Sequence, residues 1–152
     1  MSSSDKSWRK KIGKYTGKKW NVITSLLTRN RPNLESGSLA TPLFTIQGHY
    51  DAKVVKTTDG DTVHVVMEYP RGQLTRFVVR LFGINAPEMR GDEKEDGIHS
   101  KLALSDKIGG RLVVVECKGF GKYGRLLGTI YYGGVNINEW LVEGGWAESH
   151  VY

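Results

Sequence analysis

Residues 57–82, TTDGDTVHVVMEYPRGQLTRFVVRLF, hold two turns separated by a single alternating apolar run. Asp-Gly-Asp ends the preceding stretch LFTIQGHYDAKVVKT, and Pro-Arg-Gly turns VHVVMEY back into QLTRFVVRLF. Strands joined this tightly are antiparallel neighbours, because a parallel pair needs a crossover of a dozen or more residues. A parallel βαβ arrangement is therefore excluded for this part of the chain. The stretch 43–57 is expected to be one long bent strand, or two with the break at Gly48.

The remainder supplies a helix, two more strands and a second helix. A helix is predicted near 97–109, with Ile98, Leu102 and Ser105, or alternatively Leu104 and Ile108, on one face, stopped by Gly109 and Gly110. RLVVVECK is a continuous apolar run, expected to be buried on both faces, and GRLLGTIYY is a further strand. VNINEWLVEGGWA reads as a short helix with Asn136 or Asn138 near its cap and a glycine pair at its end. Five short strands with an inserted helix fit a β-rich α+β fold, a five-stranded OB-fold barrel with packed helices. A sandwich would need about seven strands.

A chain of 152 residues fits one domain, and its charge divides it unevenly. Residues 1–31 hold nine Lys and Arg against one Asp, a balance of +8; the other 13 basic and 15 acidic residues give −2. Trp8, Ile12 and Tyr15, then Trp20, Ile23 and Leu27, fall at helical spacing, so 1–31 reads as a basic, amphipathic, partly helical arm. Such an arm is expected to contact nucleic acid, a protein partner or an anionic membrane surface. Residues 32–42, PNLESGSLATP, form a linker, and 43–152 the domain.

The single cysteine, Cys117, cannot close an internal disulfide, which points to a reducing compartment. The longest apolar run near the N-terminus, WNVITSLL, is short for a signal-peptide core, and no transmembrane segment is expected. The expected setting is intracellular, cytoplasmic or nucleus-like. A mitochondrial one is the lesser alternative, since the arm is basic, contains serine and is poor in acids.

Three charged elements lie at strand ends: DGD with Asp59 and Asp61, RLFGINAPE with Arg80 and Glu88, and GKYGR with Lys122 and Arg125. Each alone is an ordinary turn or loop. Together they supply what phosphodiester cleavage needs: oxygen ligands for a hard cation, a carboxylate to take a proton from water, and guanidinium forks for the phosphate. His49, His64, His99 and His150 show no paired spacing, and with one cysteine they argue against zinc.

The ordered set DGDTV, VRLFGINAPE, GKYGRLLGTIY and VNINEWLVEGGWA, spanning about residues 50–152, resembles the staphylococcal nuclease-like, or thermonuclease-like, family. The resemblance implies an OB-type barrel and a Ca²⁺-dependent nuclease acting on DNA or RNA with little sequence specificity. It implies Asp61 as a metal ligand with Asp59 behind it, Asn85 in the place of a second acidic ligand, and Ala86 as a backbone-carbonyl ligand. It assigns Arg80 and Arg125 to phosphate, Glu88 to the attacking water, and Lys122, Tyr123 and Tyr152 to the nucleotide. Asn85 keeps a calcium-binding oxygen but removes one negative charge, so weaker metal binding is expected. No counterpart of the family's C-terminal helix follows SHVY, and the arm is expected either to dock in its place or to stand apart. The alternative function is an inactive OB-fold module that binds nucleic acid or protein.

Overall fold

The computed structural model describes residues 33–151, so the expectations for the 1–31 arm and for Tyr152 lie outside the described residues. The chain divides into two units between Leu43 and Phe44. In the first, a 3-10 turn at Leu34–Ser36 is capped by Asn33, whose side chain accepts from the Glu35 N–H at 3.1 Å.

The second unit is built on β1 (Gln47–Asp59), β2 (Thr62–Glu68), β3 (Leu74–Leu81), β5 (Leu112–Phe120) and β6 (Leu126–Tyr132), with a two-residue β4 (Ile84–Asn85) after β3. The strand order is β3-β2-β1-β5-β6, and β3 also pairs in parallel with β6, Val79 opposite Leu126 and Leu81 opposite Gly128. That last pairing closes a five-stranded barrel of OB type.

The 43–57 stretch becomes one strand, not two. β1 has 13 residues, with Gly48 inside it, and register shifts at Val54/Lys56 and Thr57/Asp59 bend it. Its first half pairs with β5 and its second with β2, which a bulged strand can do by curling. β5 departs from expectation: it is buried on one face only, through Val113, Val115 and Cys117, because it lies in a barrel wall and not in a two-sided sheet. Burial pushes the Cys117 thiol up to about 11, so it is a protonated, inert thiol at neutral pH.

Helix α1 (Lys94–Ile108) begins earlier than predicted, after a 3-10 turn at Gly91–Glu93, and packs on β1. Gly97, Ser100, Leu104 and Ile108 form its buried face, whereas Leu102 is exposed. Helix α2 (Ile137–Glu143) follows β7 (Val135–Asn136) and precedes β8 (Glu148–Ser149). Asn136 is its N-cap, accepting from the N–H groups of Asn138 and Glu139.

Asn138 has a different task. It is buried, accepts from the Ile130 N–H at 3.1 Å, and donates to the carbonyls of Phe82 (2.8 Å) and Gly128 (3.2 Å). One side chain thus ties α2 to β6 and to the residue following β3, near where the barrel closes.

Candidate active site

The Asp59–Asp61 turn joins β1 to β2, and its N–H at Asp61 donates to Asp59 Oδ1 at 3.2 Å. Gly60 at its centre lies against α1 and the Ala86 side chain: a Cβ there would sit 2.0 Å from Ser100 Oγ and 2.7 Å from Ala86 Cβ. The turn can seat itself only without a side chain at that position.

Arg80, near the end of β3, organises the segment that follows. Its Nη1 donates to the carbonyls of Leu81 (3.0 Å) and Ile84 (2.9 Å), and its Nη2 to Asn85 Oδ1 (2.9 Å) and Asp61 Oδ2 (3.0 Å). Four of the five guanidinium N–H groups are engaged in wrapping residues 81–85 around the ion pair. Asp61 is equally committed: Oδ1 accepts from Thr62 Oγ1 at 3.1 Å, and Oδ2 accepts from the Ala86 N–H at 2.8 Å. The Arg80 and Asp61 side chains are only 12% and 10% exposed. Burial holds the Asp61 carboxyl above its ordinary value. The Ala86 N–H and the Arg80 charge pull it down, and Asp59 pushes it up.

Glu88 combines a fixed backbone with an outward side chain. Its N–H donates to Glu93 Oε2 at 3.1 Å, and its carbonyl lies so close to α1 that a Cβ on Gly97 would come within 2.5 Å of the oxygen. The carboxylate itself is 71% exposed, with Arg90 Nε 3.8 Å away.

The third element, Gly121–Arg125, connects β5 to β6. It closes on the Gly121 N–H to Arg125 carbonyl bond (2.8 Å) and the Gly124 N–H to Gly121 carbonyl bond (3.0 Å). Tyr123 is 84% exposed, with the Arg125 guanidinium 5.9 Å from its ring centre.

These elements meet. Asp59, Asp61, Arg80, Asn85, Ala86, Glu88 and Arg125 line one pocket. Arg80 and Arg125 also line a second, with Phe120, Lys122, Tyr123 and His150. Phe120 and His150 are the residues that sequence reasoning missed. Phe120 directly precedes the GKYGR element, while His150 carried no signal, since it reaches the cleft through a two-residue strand, β8, paired with β4.

Among the described residues, no group of three or more His, Cys, Asp or Glu is placed to hold a metal ion. The donor set still fits a hard cation in kind: it is all oxygen, and a buried Asp61 beside Asp59 carries negative charge that one guanidinium balances.

The barrel, with its cleft of acids and guanidinium groups, places the chain among OB-fold proteins. The family model described as "Staphylococcal nuclease homologue" matches residues 78–152, which include Arg80, Asn85, Glu88 and Arg125 and begin after Asp59 and Asp61. The matched part of the chain, residues 78–152, is thus similar to the staphylococcal nuclease-like family. It is 32% identical over 94 residues to an "Uncharacterized endonuclease" of Escherichia coli, covering 61% of this chain and 56% of that protein. A protein of the same name from Haemophilus influenzae is 36% identical over 95 residues, 62% of this chain and 49% of its own length. "Endonuclease YhcR" of Bacillus subtilis is 30% identical over 116 residues, 68% of this chain but 9% of that protein. The chain thus spans about half the length of the first two relatives.

Proposed function

We propose that this chain is a metal-dependent nuclease that hydrolyses phosphodiester bonds of DNA or RNA with little sequence specificity, and that its metal is Ca²⁺. The observation that carries the reading is that Arg80 and Arg125 are shared by an acidic pocket and an aromatic, cationic one. A phosphate bound by those arginines has Glu88 on one side and room for its nucleotide on the other.

Arg125 remains charged and offers a fork for two phosphate oxygens, so it is the main stabiliser of charge on phosphorus. Arg80, with four donors engaged, chiefly fixes Asp61 and the 81–86 segment and has its Nε–H left for the phosphate. Glu88 takes the proton of the attacking water, since its carboxylate projects outward from a clamped backbone. Asp61, Asn85 Oδ1 and the Ala86 carbonyl, with Asp59 behind them, would hold Ca²⁺, which when bound would act as a Lewis acid on the phosphate. Lys122 and Tyr123 contact the nucleotide, and Tyr152 is assigned with them on the resemblance alone. The basic arm 1–31 adds affinity without specificity.

A plasmid-nicking assay with and without Ca²⁺, on the native chain, Glu88→Ser and Arg125→Ala, tests the reading. Calcium-dependent nicking by the native chain, reduced roughly a hundredfold in each variant, is expected. Equal nicking in all three, or none in any, would refute it. Asn85→Asp should lower the Ca²⁺ concentration for half-maximal rate; an unchanged midpoint removes Asn85 from the ligand set. Deleting 1–31 should weaken binding and flatten its salt dependence while leaving kcat alone.

A further inference from the structure

We propose that His150 is a substrate-binding residue, its imidazole taking the phosphate that neighbours the scissile one. The inference rests on the nuclease reading and extends it to a residue outside the motifs that suggested it. The two pockets differ in charge. The first has Asp59, Asp61 and Glu88 among its lining residues, which disfavour a second phosphate there. The second is lined by Arg80, Phe120, Gly121, Lys122, Tyr123, Arg125, Leu127 and His150, with no carboxylate among them. A polynucleotide whose scissile phosphate lies between the arginines therefore has its adjoining phosphate favoured on the second side.

The backbone fixes where His150 stands. Its N–H donates to the Gly83 carbonyl at 2.9 Å, just beyond the β4–β8 pairs Ile84–Ser149 and Asn85–Glu148. The strand segment that carries Asn85 on one side of the cleft thus anchors the chain that brings His150 to the other pocket. Lys122 and Tyr123, on the loop between β5 and β6, line the same pocket. The chemistry required of the ligand is an anionic oxygen beside a flat apolar ring: an imidazole N–H and the Lys122 ammonium for the phosphate, Phe120 and Tyr123 for the base. A nucleotide unit supplies both.

The experiment uses the full chain and short single-stranded oligonucleotides with one cleavable linkage, in which each phosphate flanking the scissile one is replaced in turn by an uncharged methylphosphonate. kcat and KM are measured for the native chain, His150→Ala and His150→Gln, with thermal unfolding as a folding control. For the native chain, one of the two neutral linkages should raise KM roughly tenfold or more, the loss of the charge-assisted contacts from His150 and Lys122. His150→Ala should raise KM for the fully charged substrate severalfold, leave kcat unchanged, and reduce the penalty of that neutral linkage to the share that Lys122 contributes. His150→Gln, which keeps an N–H donor, should recover part of the affinity. A native KM in His150→Ala, or an undiminished methylphosphonate penalty in it, would overturn the inference alone. Failure of the native chain to bind or cut any of the oligonucleotides would overturn the nuclease reading together with it.

Discussion

The acidic half of the cleft and the loop facing it are held to different degrees. Asp61 accepts from Thr62, Ala86 and Arg80, and the Glu88 backbone is fastened by Glu93 and seated on Gly97. The Gly121–Arg125 loop closes on two backbone hydrogen bonds and exposes Tyr123. On the proposed function, the difference matches two tasks. Groups that direct water and balance charge tolerate little displacement, whereas groups that grip a substrate of varying sequence gain from adjustable placement.

Four substitutions probe that contrast. Arg80→Ala should have the largest effect, because it removes a cation that both sides of the cleft share and leaves Asp61 buried without its partner. Activity should fall about a thousandfold or more, and stability by about 3–5 kcal/mol, as for a broken buried pair. Urea unfolding checks the second figure, and an unchanged midpoint would show that the acidic half does not depend on its ion pair. Arg125→Ala should cost about a hundredfold in kcat/KM with no shift in Tm; a large drop in Tm would show the loop to be structural and abolish the contrast.

Asp61→Asn should separate function from stability. The folded-state pKa of Asp61 lies above its ordinary value, so its favourable contribution is present below about pH 4 and is lost as pH rises through the folded value. At neutral pH without divalent cations the ionised carboxylate is a net cost, and the amide should raise Tm while reducing cleavage. Native and variant Tm values measured from pH 3 to 8 should diverge as pH rises, and parallel curves would refute this account. Tyr123→Ala should do least, raising KM about fivefold or more through lost stacking with kcat intact. A drop in kcat would mean that the loop positions reacting groups as well as substrate.

Much of this was legible in the sequence, for physical reasons. The hairpins announce themselves through turn residues flanked by alternation, and strand order follows from turns too short for crossovers. Asp61, Arg80, Glu88 and Arg125 were visible because charged residues beside glycine and proline at strand ends invite a chemical reading. What stayed hidden depends on pairing at long range. Asn138 read as a possible cap, since sequence cannot show that its amide meets Phe82 and Gly128 instead. β5 read as doubly buried because apolar runs do not reveal which face a barrel turns outward. His150 read as an isolated imidazole, because a two-residue strand leaves no periodicity to find. Asn85 read as a ligand oxygen, and the structure gives that oxygen a partner in Arg80.

The parallel pairing of β3 with β6 also bears on when the molecule becomes active. Arg125 immediately precedes β6, so it reaches Arg80 only when the contact between the third strand and the barrel's last strand has formed. Such distant contacts carry a larger chain-closure cost than neighbouring hairpins and tend to form late. A nascent chain that has emerged only as far as β3 has Asp59 and Asp61 but neither Glu88 nor its second guanidinium. On the proposed function, an enzyme that cuts nucleic acid with little discrimination would therefore remain harmless beside the ribosome that makes it until synthesis has passed residue 125 and the barrel has shut.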